Sequence, residues 1–521
     1  MNVVLIHPYI TVHDPDTYLT EPLGLICLAS FLRQAYGDAV NVSILDLYAL
    51  GRHEAQPRDG MFVLGVNDPE TIREELRKRN PDLIGVTSNF TAYYLDSLEV
   101  AAMAKEACPD VPVIMGGAHA TVEAEGILKA HSYIDGVVRN EGEKTLELLV
   151  AAIRNKQPLA DVPGLTFRAA DGNVVTNPSP PLIPDIDELP IPDRDFVDMD
   201  YYKHHNEKCI WYVRKAPVAT IMTSRGCPFS CVFCSTNVMW KKKWRTRSMA
   251  KIVEEVEYLV AKYGIREIII NDDQFMTRKD RVHEFCDYFI KRKLDLAFSY
   301  DSGVSAWLVN EELLAKMKQA GFYSLRFPIE SGNVNTLKYI KKPINLPKAK
   351  ALIDRANRLG FWTSGNFIIG FPYETREEIM DTVNFAYGSA LDLATFLIAK
   401  PNAGSGLYDS FKKEGLLEKK VVRASDFFRS DYDTTTMTAE ELNRIHARAS
   451  SGWFPHKILF YARPYNFWHY LLPKFQSWDD VRYGVSMAFI LLRKKVKPAV
   501  QNRVRTAWRA LRRPREAASL P

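Results

Sequence analysis

Apolar positions in the first 150 residues fall in short continuous runs, separated by longer stretches where they recur every third or fourth place. The first kind of run reads as a buried strand and the second as an amphipathic helix. "NVVLI" near the start predicts a strand, "EPLGLICLASFLRQAYG" a helix closed by Gly37, and "VNVSILDLY" a second strand. "DPETIREELRKRN" predicts the next helix, then come the strand "DLIGVTS", a long helix to Ala107 and the strand "VPVIMGG". "IDGVVRNEGE" and a helix from Lys144 complete the series. Regular alternation predicts a parallel, doubly wound Rossmann-like sheet with its ligand site at the strands' carboxyl ends. Those ends carry His7-Pro8, Ser88-Asn89, Gly116-Gly117 and Asn140-Glu141-Gly142. Paired glycines after a strand let backbone approach a ligand closely. The layout suits a nucleotide or cofactor, although the G-x-G-x-x-G fingerprint is absent.

"PGLTFRAADGNVVTN" predicts a hairpin turned at Asp-Gly, which closes a first domain over residues 1–177. Residues 178–215 open on "PSPPLIPDIDELPIP", a Pro- and Asp-rich linker unfit for regular helix or central strand. A second series then occupies residues 216–404, with strands in "APVATIMTS", "REIII", "LAFSY", "FYSLRFPI", "FWTSGNFIIG" and "LATFLIA". Helical patterns separate them, and in the helix from Ser248 the residues Ile252, Val256, Leu259, Val260 and Tyr263 share one face. Six strands predict an open (βα)6 barrel rather than a closed eightfold one. Residues 405–521 read as helical, aromatic and basic, and the aromatic stretch "GWFPHKILFYARPYNFWHYLLPKF" is expected to line or lid the site.

Charge divides unevenly along the 521 residues. Ten Lys and Arg between Arg493 and Arg515 face Glu516 alone, so residues 493–521 carry +9 of a net +5 and the preceding 492 carry −4. A mildly acidic body argues against nucleic acid as partner. "YGVSMAFILL", just before the basic tail, is about half the ~20 residues needed to span a bilayer. It could rest on an anionic membrane surface or pack as a terminal helix. Seven unevenly spaced cysteines argue against a disulfide framework, and no signal peptide is read at the start. The expected location is the cytoplasm, with membrane association left open.

Three of the seven cysteines fall in "TSRGCPFSCVFCST": Cys227, Cys231 and Cys234, spaced C-x3-C-x2-C directly after the first strand of the second series. Structural zinc needs four ligands, usually in two knuckles, and no second CxxC exists. Cys209, the nearest other cysteine, lies across that first strand. Thiolates on a close-spaced loop suit an iron–sulfur cluster better, and three of them leave one iron open, as catalysis requires.

The octet "CPFSCVFC", with Phe233 before the last cysteine, resembles the signature of the radical S-adenosylmethionine superfamily. The resemblance implies a [4Fe–4S] cluster whose free iron binds S-adenosylmethionine, with reductive cleavage giving a 5′-deoxyadenosyl radical. It further implies contacts to that cofactor from Phe233, from Glu330 and Ser331 in "PIESGN", and from Ile368 and Gly370 in "NFIIGFPYE". Asn366 replaces a usual glycine there, and Glu374 is displaced by one residue. "NDDQF", Asn271–Phe275, ends the second strand and reads either as part of the site or as a surface turn.

A doubly wound domain ahead of such a barrel resembles the cobalamin-binding class of the superfamily, over residues 1 to about 410. The resemblance implies cobalamin contacts from His7, Ser88, Gly116, Gly117, His119, Glu141 and Gly142. The D-x-H-x-x-G element is missing; "DLYALG" has Tyr48 in place of its histidine. Such a pairing implies C-methylation of an unactivated carbon, because a radical can be made where no acid–base chemistry can prepare a nucleophile. The substrate expected is a small molecule, lipid-like or tetrapyrrole, and an external donor such as flavodoxin or ferredoxin supplies electrons. "MWKKKWRTRS" is similar to the segment after the cysteine motif in the anaerobic cyclase group, so radical cyclisation or rearrangement is the alternative, and a non-enzymatic iron–sulfur protein a more distant one. Transfer-RNA methylthiotransferases place three further cysteines in the first domain, where this chain has Cys27 and Cys108.

Overall fold

The computed structural model describes residues 1–52, 54–203, 213–300, 302–417 and 427–488. Cys209 and the basic segment 493–515 lie outside the described residues.

The amino-terminal domain is built on a seven-stranded sheet. From one edge its strands are Asn41–Asp46, Asn2–His7, Leu83–Thr87, Val113–Gly116 and Gly136–Val138, all parallel. The predicted hairpin, Leu165–Arg168 and Val174–Thr176, extends the far edge in antiparallel fashion. In chain order the parallel strands run second, first, third, fourth, fifth, which puts the topological switch beside the first strand. Alternate residues of that strand serve the two faces: Val4 and Ile6 pack under the helices Pro69–Arg79 and Tyr94–Ala107. Val3 and Leu5 pack under Leu23–Tyr36 and Gly142–Asn155. A small antiparallel sheet of Ile10–Val12, Ala55–Arg58 and Met61–Leu64 was not foreseen.

The second domain carries six parallel strands in two groups of three. Val218–Ile221, Glu267–Ile270 and Ala297–Tyr300 pair in register, as do Ser324–Glu330, Trp362–Ile369 and Leu393–Ile398. A bridge from Phe298 to Phe322 joins the groups. The outer ring includes Met249–Tyr263, capped by Ser248, and Arg376–Tyr387, entered through a capping box at Thr375. Ile252, Val256 and Leu259 are buried as their spacing predicts. The fold is therefore the expected doubly wound domain with an open (βα)6 barrel after it.

The linker is packed rather than loose. Arg194 is fully buried, ion-paired to Glu255 at 2.7 Å and donating to the Thr220 carbonyl at 2.7 Å. Glu21 of the first domain accepts from the amide and hydroxyl of Thr220 at 2.8 Å each.

The carboxyl-terminal region corrects one expectation. The long helix Ala439–Tyr461 runs down the open edge of the barrel: Leu442 packs at Gly370, His446 bonds the Phe396 carbonyl, and Trp453 reaches Asp392. The chain then crosses the amino-terminal ends of the strands. Lys474 is buried there against Asp392 at 2.9 Å and Asn357 at 2.6 Å, and Arg214 is ion-paired to Asp480. Tyr483 and Met487 pack with Val218, Ile269, Ala297 and Tyr323. The aromatic stretch thus forms the barrel's side and floor, opposite the cysteine loop, because helical periodicity specifies a buried face but not the surface it docks on. Among the described residues no helix is long and apolar enough to cross a membrane.

Candidate active site

The cysteine loop leaves the first barrel strand through Ser224–Arg225, which pairs with Arg245–Thr246. Its turn begins at Gly226, where φ is 91° and a Cβ would stand 2.0 Å from the Lys243 carbonyl oxygen, so only glycine fits. Cys227, Cys231 and Cys234 are all free and partly exposed. Burial pushes the Cys227 thiol up to about 11 and raises Cys231 also, and for both the neighbouring cysteines add to the effect. The three thiols are therefore close enough to oppose one another's ionisation. Yet among the described residues no three His, Cys, Asp or Glu side chains converge on one ion. Three thiols carried on one short loop are the donor chemistry that three corners of a [4Fe–4S] cube require.

"NDDQF" is the loop's anchor. Asp272 is buried and accepts from the Thr223 amide, the Thr223 hydroxyl and the Ser224 hydroxyl, at 2.6 Å each. Asp273 accepts from the Gly226 amide at 3.1 Å, and burial raises its carboxyl. Behind the loop, Glu330 takes a left-handed backbone (φ 66°) at a bulge in the fourth strand and pairs with buried Lys342 at 2.7 Å. The Lys342 ammonium also lies 5.7 Å from the ring centroids of both Phe233 and Trp307. Phe233 packs obliquely on Phe371. Ser331 is fully buried with its hydroxyl 2.9 Å from that of Thr382. Ile368 packs with Phe371, Leu337 and Val232. Gly370 (φ 85°) donates its amide to Glu374 at 2.7 Å, and a Cβ on it would meet Leu442 at 2.3 Å. Glu374 braces this turn from a buried position, where desolvation pushes its carboxyl up to about 8.

Facing the loop is a cavity of about 500 Å³ over the switch point of the first domain. His7, Gly116, Gly117, Glu141 and Gly142 line it from the strand ends; Ser235, Thr236, Trp240, Asn271 and Asp273 line it from the barrel. His7 is held by Asp46 at 3.0 Å, and Asp46 accepts from Tyr202 at 2.7 Å. At Gly117 (φ 111°) a Cβ would stand 2.5 Å from the Asn89 amide oxygen and 2.7 Å from the Ser88 carbonyl oxygen. This glycine cradle, apolar walls and the size of the space fit the corrin of cobalamin. Ser88 is buried behind it, accepting the His119 amide at 3.1 Å, and its hydroxyl has no hydrogen-bond partner. His119 lies against Tyr94, its Nδ1 3.1 Å from Thr91, and burial lowers it to about 4, which keeps it neutral.

Glu141 has a role the sequence did not disclose. It accepts from Arg225 at 2.9 Å, from Arg245 at 2.8 Å and from the Ile183 amide at 2.9 Å. Glu143 accepts from Arg225 at 2.6 Å. Two residues before Cys227, Arg225 thus ties the cavity's rim to the cysteine loop. No short motif marks that contact, which joins residues more than eighty positions apart.

Comparison with known proteins agrees with both halves. Residues 221–386 match the radical SAM superfamily and residues 16–150 match the B12 binding domain. The chain is 34% identical to an uncharacterized methyltransferase of Pyrococcus horikoshii, over 85% of this chain and 88% of the relative. It is 31% identical to the cytidylyl-2-hydroxyethylphosphonate methyltransferase of Streptomyces wedmorensis, over 80% and 82%. Among solved structures it is similar in fold to the radical S-adenosylmethionine methyltransferase TsrM of Kitasatospora setae. That match has a TM-score of 0.67 and 17% identity, covering 97% of this chain and 99% of TsrM.

Proposed function

This chain belongs to the cobalamin-binding radical S-adenosylmethionine enzymes, and from that premise we propose that it transfers a methyl group to an unactivated carbon of a small molecule. The observation carrying this reading is the cavity that the cysteine loop's flank and the cobalamin-domain strand ends line together. The cluster supplies the electron that cleaves S-adenosylmethionine, and cobalamin supplies a transferable methyl.

The protein's own residues hold and shield. Cys227, Cys231 and Cys234 would hold the cluster at three corners, leaving the fourth for S-adenosylmethionine. Asp272 fixes the base of their loop through three hydrogen bonds, which holds the backbone that carries the thiols. Arg225, between Glu141 and Glu143, sets the distance from that loop to the corrin site. Apolar walls keep water from a reactive carbon centre. Phe233, Glu330, Ile368 and Gly370 surround the side where S-adenosylmethionine would lie, with Ser331 one layer behind. A flavodoxin- or ferredoxin-like protein is the proposed reductant, and the substrate is lipid-like or tetrapyrrole in size.

The test uses full-length chain loaded without oxygen with iron, sulfide and cobalamin, then given reductant and S-adenosylmethionine. Release of both 5′-deoxyadenosine and S-adenosylhomocysteine supports methylation. 5′-Deoxyadenosine alone points to cyclisation or rearrangement, and neither product rejects the reading.

A further inference from the structure

Nine of the seventeen large apolar side chains exposed among the described residues fall between positions 458 and 485. Ile458 and Leu459 are exposed on the last turns of the long helix, and past its end at Tyr461 the residues Tyr465, Trp468 and Leu472 recur every three or four places. Trp478, Val481 and Val485 do the same on the helical residues 478–488. The inner face of that last helix is already committed, with Tyr483 and Met487 packed into the barrel floor. Its outer face carries exposed Trp478, Val481 and Val485 beside exposed Arg482, and Trp478 is 85% exposed. In sequence the same spacing continues through Phe489 and Leu492 into the ten Lys and Arg of residues 493–515.

We infer that this face lies in the surface of an anionic lipid bilayer, with the barrel floor against the membrane. An outward apolar stripe rich in Trp and Tyr, followed in sequence by a cationic segment, matches the two layers of a bilayer surface: acyl boundary and anionic headgroups. No described helix is long enough to span, so the contact is in-plane. A second copy of the chain fits less well, because each copy carries the same +9 in the sequence that follows this helix. The cysteine loop and the cavity lie at the opposite end of the barrel, away from this face. Docking therefore fixes where the enzyme works without obstructing its site, and the inference is independent of the methylation reading.

Sedimentation of full-length chain with sucrose-loaded vesicles tests this, comparing phosphatidylcholine alone with a phosphatidylcholine–phosphatidylglycerol mixture. The chain should pellet with the anionic vesicles. Trp468→Ser, Trp478→Ser and Val485→Ser together should lower partitioning about tenfold while cobalamin uptake is unchanged, and Trp478→Ser alone by about threefold. Removing residues 493–521 should abolish the preference for anionic over neutral vesicles. A wild-type chain that stays in the supernatant overturns the inference. So does a triple variant that pellets like wild type, or one that instead loses self-association in the ultracentrifuge.

Discussion

Replacing Arg225 by Met tests whether the two cofactor-binding domains are held in register by charge. The Arg225 side chain is 9% exposed and its partners Glu141 and Glu143 are 4% and 5% exposed, so the pairs lie out of water. Glu141 keeps Arg245, whereas Glu143 would lose its hydrogen-bonded cation. Burial pushes the Glu143 carboxyl up, and in the native protein the charge of Arg225 and its hydrogen bond more than offset this, holding it below the ordinary value. Removing one member of such a pair costs about 3–5 kcal/mol, because the survivor stays buried and charged. The pH dependence has a definite sign. A carboxylate depressed in the folded state stabilises above its unfolded pKa and loses that contribution as pH falls. Without Arg225 burial dominates and raises the Glu143 carboxyl, so the variant's deficit should be largest at high pH and shrink as pH falls through that raised value and Glu143 takes up a proton. Urea unfolding of wild type, Arg225→Met, Glu143→Gln and the double variant measures this. The double variant should recover most of the loss, since no uncompensated charge remains. A deficit below about 1 kcal/mol that does not vary with pH would refute the clamp.

Three further outcomes are expected. Cys231→Ala should abolish both the visible absorbance of the reconstituted cluster and 5′-deoxyadenosine formation, and retention of either would reject its ligand role. Gly117→Ala places a Cβ 2.5 Å from Asn89 in a backbone conformation unfavourable to alanine; cobalamin affinity, monitored by absorbance titration, should fall at least about tenfold. Glu374, raised by burial from 4.5 to about 8, contributes stability that is lost as pH rises between those values, and Glu374→Gln should flatten that decline in thermal unfolding.

Most of the architecture was legible because the central strands of both domains are parallel and covered on two sides, which writes several of them as uninterrupted apolar runs such as Ile268–Ile270 or Val3–Ile6. The small sheet at Ala55–Arg58 was not, since "AQPR" is largely exposed, contains proline and carries no alternation. The cluster loop declared itself through three residue identities at fixed spacing. Its supports did not: Asp272 is an acid among four consecutive polar residues until the fold brings Thr223 and Ser224 to it. Glu141 and Gly142, adjacent in sequence, separate in role, one clamping the barrel while the other leaves space that a Cβ, 3.0 Å from Leu28, would crowd. His7 and His119 were equivalent as letters, and only the cavity distinguishes them: His7 lines it, and His119 stacks on Tyr94 behind it.

The central claim is a cluster held at three corners, beside a corrin, with the fourth corner open to S-adenosylmethionine. Electron paramagnetic resonance of the reduced, cobalamin-loaded chain tests it most directly, with iron and corrin counted in the same sample. About four irons and one corrin per chain are predicted, and a cluster spectrum that changes when S-adenosylmethionine is added. A spectrum indifferent to S-adenosylmethionine, or zinc in place of iron, would contradict the account.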